Sequence, residues 1–419
     1  KVDSFGQLGG GKTFGLRSPG HVGSGRGHAG DFEHEPVEAV VEIAQRERSR
    51  MHAGTFIHET LNQVFDGIHR KRLSALGELV VSALRHERLS VTGLGRGIES
   101  QAKEKHCIKK ADRLLSNNKL LADLEFFYRE MSHQILKGVA RPMVLVDWSS
   151  LNERAGLYLL RASLPMNGRA LTLYEEIHTV AGKEKPQTHR SFLRKLQRVL
   201  PASCAPIIIT DSGFRVPWFN EVRKLGWDFL GRVAGTQLVQ FSTKWVSLKS
   251  FYPRASSTPK CLGKALLTRM TSFQCELVVY KARARGRSQT TLCGERARRR
   301  KSLQHATRER QPWMLATSLE WSAKKVVELY RTRMQIEEAF RDLKSFRYGL
   351  SLELSGTQKP HRMAILVLIG SLSLWLSWII GKASEILGLH RGLQANTVRC
   401  KTVLSPIFLG LRIMKKPKL

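Results

Sequence analysis

Two short runs of apolar residues, each followed by an aspartate, constrain the fold of this chain most strongly. Met143-Val-Leu-Val precedes Asp147, and Pro206-Ile-Ile-Ile-Thr precedes Asp211. Neither run alternates between apolar and polar side chains, so each predicts a strand with both faces covered. Such strands lie inside α/β sheets flanked by helices. The sequence therefore predicts a mixed α/β region with a cleft where these two strands end.

More strands and helices are predicted around these two runs. The patterns predict strands at 157–164, 169–177 and 313–317, and helices at about 188–200 and from Pro217 onward. Residues 236–311 read as poor in strands and rich in Ser, Thr, Lys and Arg. Their basic runs at 281–287 and 296–301 predict solvated loops that follow a phosphate backbone.

A third acidic residue lies on a predicted helix that begins at an N-cap, Ser322, and contains no Gly or Pro. At ~100° per residue, an arc about 60° wide carries four polar side chains: Tyr330, Arg333, Glu337 and Lys344. Glu338 and Asp342 face elsewhere. The pattern alone is equally typical of a solvated charged face, so its meaning depends on the rest of the chain.

The net charge of +34, from 69 Lys and Arg against 35 Asp and Glu, indicates a polyanionic partner. Nucleic acid is favoured because neutralising phosphates releases counterions, and an acidic membrane surface is the alternative. The six cysteines form no CxxC pair. A zinc site or a disulfide framework is therefore not expected, and a reducing, intracellular compartment is.

Residues 51–140 predict short helices separated by glycine turns, which suits a DNA-binding domain. One predicted helix carries a row of basic side chains: Lys103, Lys105, Lys109, Lys110 and Arg113. The alternative is an ordinary solvated basic face. The run Met363–Gly381 has 19 residues without charge, long enough to span a membrane. Its interior Gly and Ser residues and its basic surroundings favour a buried core helix.

The glycine-rich stretch at 1–50 is expected to be a leader upstream of a natural start at Met51. Gly6 to Thr13 matches the phosphate-loop pattern GxxxxGK[ST]. That mechanism needs a strand before the loop and a helix after it. Only five residues precede the motif, and a Gly- and Pro-containing stretch follows it, so we do not expect an ATP site.

Asp147, Asp211 and Glu337 together predict a metal site. Mg²⁺ prefers oxygen ligands and is commonly held by a few carboxylates and a substrate phosphate. Two such ions can activate the attacking oxygen and stabilise the leaving oxygen of a phosphodiester. Arg333 and Lys344 suit the flanking phosphates, and Tyr330 suits a hydroxyl or stacking contact with DNA.

The spacing Tyr330-x2-Arg333-x3-Glu337-x6-Lys344 resembles the signature of one group of DDE transposases of bacterial insertion sequences. Other words that carry the resemblance are Val146-Asp-Trp-Ser149, Leu171-Thr-Leu-Tyr-Glu175, Asp211-Ser-Gly-Phe-Arg-Val-Pro-Trp218, Met334-Gln-Ile-Glu-Glu338 and Gln394-Ala-Asn-Thr-Val-Arg399. The likeness runs from about residue 70 to about residue 412.

The resemblance implies an RNase H-like mixed sheet with flanking helices at 141–235 and 312–381. It places an inserted, basic, β-rich segment at 236–311, after an N-terminal helical DNA-binding domain at 51–140. Asp147, Asp211 and Glu337 would be the catalytic, metal-binding carboxylates, with Mg²⁺ as cofactor and Mn²⁺ able to substitute. Related hairpin-forming enzymes hold a flipped base on an aromatic ring; Trp245 is the candidate here, although a core tryptophan is an equal alternative.

The implied function is cut-and-paste transposition by a homodimer that binds double-stranded transposon ends and target DNA. The implied location is the bacterial cytoplasm, at the nucleoid, without membrane attachment. A nuclease that cuts without joining is one alternative. A DNA-binding relic without catalysis is another, because the leader at 1–50 has no counterpart and the tail at 382–419 is expected to be shorter than in relatives.

Overall fold

The computed structural model describes residues 53–283, 295–296, 298–395, 397 and 402–415. The expected leader at 1–50, with its phosphate-loop match, lies outside the described residues. So do residues 284–287 of the first basic run, Ala297 of the second, and three residues of the word 394–399.

The N-terminal part is helical, as its pattern predicts. Its helices are α1 (Ala53–Val64), α2 (Arg70–His86), α3 (Val91–Arg96), α4 (Glu104–Leu115), α5 (Asn118–Ala122) and α6 (Leu124–Ile135). Ser90 caps α3 by accepting a hydrogen bond from the Gly93 N–H, and Asn117 caps α5 by accepting one from the Leu120 N–H. Apolar residues of these helices belong to the same buried core as the sheet.

A ten-stranded mixed sheet forms the centre of the protein. Its strands are β1 (Met143–Asn152), β2 (Leu157–Met166), β3 (Arg169–Thr179), β4 (Ile207–Thr210), β5 (Asp228–Arg232), β6 (Leu238–Gln240), β7 (Trp245–Ser247), β8 (Lys260–Leu267), β9 (Phe273–Tyr280) and β10 (Trp313–Thr317). Their order is β3-β2-β1-β4-β5-β10-β9-β8-β6-β7. β1, β2 and β3 pair antiparallel, whereas β4 and β5 run parallel to β1.

The other described helices follow along the chain. They are α7 (Pro186–Val199), α8 (Val216–Lys224), α9 (Arg300–Arg310), α10 (Ala323–Arg331), α11 (Met334–Lys344), α12 (Pro360–Ile386) and α13 (Pro406–Met414). Short 3₁₀ helices lie at 248–254, 352–354 and 389–392. This mixed sheet with flanking helices is consistent with an RNase H-like transposase fold.

The segment at 236–311 is richer in strands than its composition indicates. β8 and β9 form a hairpin, and β9 pairs with β10, so the segment extends the central sheet. The reading of this segment as poor in strands is therefore wrong. Its strand signal was the apolar run Leu277-Val-Val-Tyr280 in β9, which the high content of Lys, Arg, Ser and Thr in the segment obscured.

The uncharged run lies in α12, and 94% of its most apolar 18-residue window is buried. This confirms the prediction of a core helix. Small residues let α13 approach α12: a Cβ on Gly381 would overlap the carbonyl of Pro406, and one on Gly410 would overlap that of Ser377.

A buried ion pair joins the sheet to two helices. Arg161 on β2 donates from Nε to Oε2 of Glu175 on β3 at 2.6 Å, and both side chains are almost fully buried. Oε1 of Glu175 accepts from Ser371 of α12 at 2.6 Å and from Tyr128 of α6 at 2.8 Å. Since an unpaired charge would be costly at this depth, these contacts fix how α6 and α12 sit on the sheet.

Candidate active site

Asp147 and Asp211 lie side by side on neighbouring parallel strands. Val146 of β1 is in register with Thr210, the last residue of β4, and each aspartate is the next residue of its chain. The prediction that Asp147 ends its strand is wrong, because β1 continues to Asn152 through its pairing with β2. The parallel partner β4 ends at Thr210, the residue in register with Val146. Asp147 therefore lies just beyond the last residue pair between β1 and β4.

Each of the two aspartates accepts one backbone hydrogen bond. Oδ1 of Asp147 accepts from the Trp148 N–H, and Oδ1 of Asp211 accepts from the Gly213 N–H, both at 2.8 Å. Burial raises the pKa of Asp147 to about 7, and the charge of Asp211 contributes to this rise. Arg333 opposes this shift, while Glu337 adds to it. The pKa of Asp147 therefore responds to the charges of both other carboxylates.

The helix that carries the third carboxylate is broken, so the prediction of one continuous helix from Ser322 is wrong. α10 ends at Arg331 and α11 begins at Met334. In between, the N–H groups of Thr332 and Arg333 donate to carbonyls three residues earlier, at 3.1 Å each. The Thr332 hydroxyl also donates to the Leu329 carbonyl at 2.7 Å, a contact of the kind that tightens or bends a helix. The predicted N-cap at Ser322 is confirmed.

Arg333, in this turn, connects two of the carboxylates. Its Nη1 donates to Oδ2 of Asp147 at 3.1 Å, and its Nη2 donates to Oε1 of Glu337 at 2.7 Å. The Arg333 side chain is 13% exposed, whereas that of Glu337 is 48% exposed. The guanidinium thus lies between β1 and α11, with Glu337 on the solvent side.

Glu337 and Glu338 point to different partners, although they are adjacent in the chain. Glu338 forms ion pairs with Arg341 on its own helix and, at 3.8 Å, with Arg169 on β3. Neither contact involves Asp147 or Asp211. The structure therefore places Glu337, and not Glu338, beside Asp147.

Lys344 reaches the same strand from the end of α11. Its Nζ donates to the Ser149 hydroxyl at 2.7 Å and to the Ser150 carbonyl at 3.3 Å. Burial lowers the pKa of Lys344, and the charge of Arg161 lowers it further. Ser149 is two residues beyond Asp147, which places it on the same face of β1 and about 7 Å away along the strand.

Tyr330 is placed differently from the expectation of a DNA contact. Its side chain is 4% exposed, and its ring packs edge-on against Trp313 of β10 with centroids 5.0 Å apart. Burial raises its pKa to about 12. Because the ring is buried against Trp313, a direct contact with DNA does not fit this conformation.

The donor set fits a divalent cation in its chemistry. Carboxylate oxygens are the ligands that Mg²⁺ prefers, and the raised pKa of Asp147 reflects burial and an excess of negative charge that a cation would relieve. In the described residues, however, no group of three or more His, Cys, Asp or Glu side chains converges to hold a metal ion. Asp147 and Asp211 are adjacent, but Glu337 is turned toward Arg333.

The other predicted DNA contacts lie away from the carboxylates. The five basic residues, Lys103 and four on α4, are all exposed. The Lys110 ammonium pairs with Glu78 at 2.6 Å. Trp245 is partly buried on β7, the last strand of the sheet, six strand positions from β4. The structure does not bring Trp245 together with Asp147 along the sheet.

Three residues around the site were not predicted. Ser149 accepts a hydrogen bond from Lys344. Its two-residue spacing from Asp147 on one strand could have indicated that both side chains lie on the same face. Arg232 follows Gly231, the register partner of Thr210, so it lies beside Asp211 at the end of β5. Arg169 follows Asn167-Gly168, a dipeptide typical of tight hairpins, whose φ angles of 39° and 98° form the β2–β3 turn.

A family model matches the part of the chain that contains this site. The family model for a transposase DDE domain matches residues 142–372, more than half of the chain. The matched segment begins just before β1 and extends into α12, so it includes all three carboxylates. No curated protein matches the sequence.

Proposed function

The chain belongs to the family of transposases with a DDE domain, and from that membership we propose that it cuts DNA at transposon ends and joins them to target DNA. The finer kinship that we propose is with the insertion-sequence group marked by Tyr-x2-Arg-x3-Glu-x6-Lys. Within that group, the proposed relative is the transposase of the element bounding a tetracycline-resistance composite transposon.

The observation that carries the proposal is the pair Asp147 and Asp211 at the carboxyl end of β4, with Glu337 joined to Asp147 through the guanidinium of Arg333. An acidic cluster is unusual for a chain with a net charge of +34, because the polyanionic substrate would be repelled there. A divalent cation between carboxylates and phosphate removes that conflict. We therefore assign the three carboxylates as the catalytic and metal-binding residues.

Enzymes with this domain generally depend on divalent metal ions, and Asp147, Asp211 and Glu337 would hold Mg²⁺ or Mn²⁺. When bound, the ions would activate the attacking oxygen and stabilise the leaving oxygen of the phosphodiester. Arg333 would bind a non-bridging phosphate oxygen next to the scissile bond, and Lys344 a flanking phosphate. Tyr330, buried against Trp313, would hold the turn that carries Arg333.

The proposed partners are double-stranded transposon ends and target DNA, bound by a homodimer at the bacterial nucleoid in the cytoplasm. The exposed basic residues at Lys103, Lys105, Lys109, Lys110 and Arg113 would contact the backbone of the end duplex. Trp245 remains our candidate for holding a flipped base, on the condition that DNA binding brings the outer strands of the sheet near the cleavage site.

Cleavage of a duplex that carries the inverted repeats flanking the gene tests the proposal. With Mg²⁺ or Mn²⁺ we expect nicking at the repeat and, with added target, a joined product. Asp147→Asn and Asp211→Asn should each reduce cleavage by at least about 10³-fold while end binding survives. Cleavage without any joined product would favour a nuclease, and end binding without cleavage would favour a DNA-binding relic.

A further inference from the structure

The guanidinium of Arg333 uses the oxygens that a metal ion at this site would need. Its two nitrogens bind Oδ2 of Asp147 at 3.1 Å and Oε1 of Glu337 at 2.7 Å. These residues belong to different elements, β1 and α11, and Arg333 lies in the turn that precedes α11. One planar cation therefore bridges the strand and the helix at the point where the proposed metal ligands should meet.

The surrounding charges hold the Arg333 guanidinium between Asp147 and Glu337. Asp147 and Asp211 are adjacent, and Arg333 joins Glu337 to this pair. Lys344, the other cation of the signature, is directed to Ser149 and the Ser150 carbonyl. Arg333 is largely buried, so its attraction to the two carboxylates is weakened little by solvent. It acts as the internal counter-ion of the cluster.

We propose that Arg333 competes with the divalent cation for Asp147 and Glu337, and that a DNA phosphate releases it. This inference rests on the proposed function. A phosphate offers the guanidinium two oxygens in the fork geometry that a carboxylate also provides. When Arg333 turns to phosphate, Glu337 is free to join Asp147 and Asp211 as a ligand. Binding of DNA and binding of metal then favour each other.

Mn²⁺ binding to the DNA-free protein, measured by electron paramagnetic resonance, tests the competition without relying on activity. We expect Arg333→Gln to bind Mn²⁺ at least about tenfold more tightly than the wild type, since a unit charge within a few ångströms is removed. Arg333→Lys keeps the charge but cannot bridge both carboxylates, so its affinity should lie between the two.

Arg331→Gln is the matched control. It removes the same charge two residues away, from a guanidinium that binds the Tyr280 hydroxyl at 2.6 Å and not the carboxylates. Its Mn²⁺ affinity should stay within about twofold of the wild type. If Arg331→Gln and Arg333→Gln change Mn²⁺ binding equally, the competition is refuted and only a long-range charge effect remains.

Two further arms separate this inference from the proposed function. Asp147→Asn should abolish Mn²⁺ binding at this site, both alone and in combination with the substitutions of Arg331 and Arg333. If wild-type protein binds no Mn²⁺ with or without a DNA duplex, the metal assignment itself fails. If the wild type binds Mn²⁺ and Arg333→Gln binds it no more tightly, the assignment stands and the competition fails. Mn²⁺ bound elsewhere in the presence of duplex is measured with Asp147→Asn and subtracted. After this correction, added duplex should tighten Mn²⁺ binding in the wild type and much less in Arg333→Gln.

Discussion

The two sides of α11 carry the same arrangement, one arginine across two carboxylates, with different consequences. On one side Arg333 bridges Asp147 and Glu337. On the other, Arg169 binds Asp342 at 2.9 Å and lies 3.8 Å from Glu338. The first side faces the carboxyl end of β4, an inner strand, and the second is covered by the β2–β3 hairpin at the edge of the sheet.

Charge balance and burial distinguish the two sides. The Arg169 side has two cations, Arg169 and Arg341, for the two acids Glu338 and Asp342, and the Asp342 side chain is 7% exposed. The Arg333 side has one contacting cation for three carboxylates, and Glu337 is 48% exposed. A balanced, covered cluster fixes the helix, whereas an unbalanced, open cluster can still take up a cation. We therefore infer a structural role for Arg169 and a reactive one for Arg333.

The largest expected effect on stability comes from breaking the covered pair. Arg169→Ala leaves the carboxylate of Asp342 buried without its main partner, and we expect a loss of about 3 kcal/mol in the free energy of unfolding. Chemical denaturation measures it. Arg154→Ala, at an exposed position of the β1–β2 connection, is the control and should change the free energy by less than about 0.5 kcal/mol. An equal effect of both substitutions would remove the distinction between the two sides.

The pH dependence of stability should report the same buried carboxylate. Burial raises the pKa of Asp342 to about 6, against the opposing charge of Arg169. The folded protein therefore binds this proton more tightly than the unfolded chain, so the contribution is favourable at low pH and is lost as pH rises from about 4 to about 6. The loss should be at most about 3 kcal/mol. Asp342→Asn should remove this part of the profile; an unchanged slope would contradict the assignment.

The smallest effect on stability is expected from Glu338, the more exposed acid on the Arg169 side of α11. Glu338 pairs with Arg341 three residues along the helix, and both side chains are more than one third exposed. Such pairs contribute little, so Glu338→Gln should change the free energy of unfolding by about 0.5 kcal/mol or less. Thermal denaturation at low and high salt checks this. A loss comparable with that of Arg169→Ala would show that Glu338 belongs to the buried cluster.

The parts of the fold that rest on local pattern could be predicted from the sequence. The fully apolar runs before Asp147 and Asp211 predicted two central strands because only a covered sheet accommodates them. The 19-residue run predicted the core helix α12. The shared arc on the helix distinguished Glu337 from Glu338, since an i,i+4 spacing places Arg333 and Glu337 on one side.

Features that depend on individual side-chain contacts could not be predicted in this way. The break between α10 and α11 coincides with a hydrogen bond from the Thr332 hydroxyl to the Leu329 carbonyl, and Thr332 is a residue that a helix otherwise accommodates. The burial of Tyr330 depends on Trp313, seventeen positions earlier in the chain. β1 extends beyond Asp147 because its partner on one side, β2, is longer than its partner on the other, β4. The local sequence pattern around the site gives no signal for the contact with Trp313 or for the pairing with β2.

Metal-dependent cleavage by Glu337→Gln and Glu338→Gln, compared side by side on the same end duplex, tests the central claim most directly. The two substitutions remove the same charge from neighbouring residues of one helix. We predict that Glu337→Gln loses at least about 10³-fold in cleavage rate with end binding intact, while Glu338→Gln stays within about threefold of the wild type. An active Glu337→Gln together with an inactive Glu338→Gln would show that the reactive side of α11 is the one bound by Arg169.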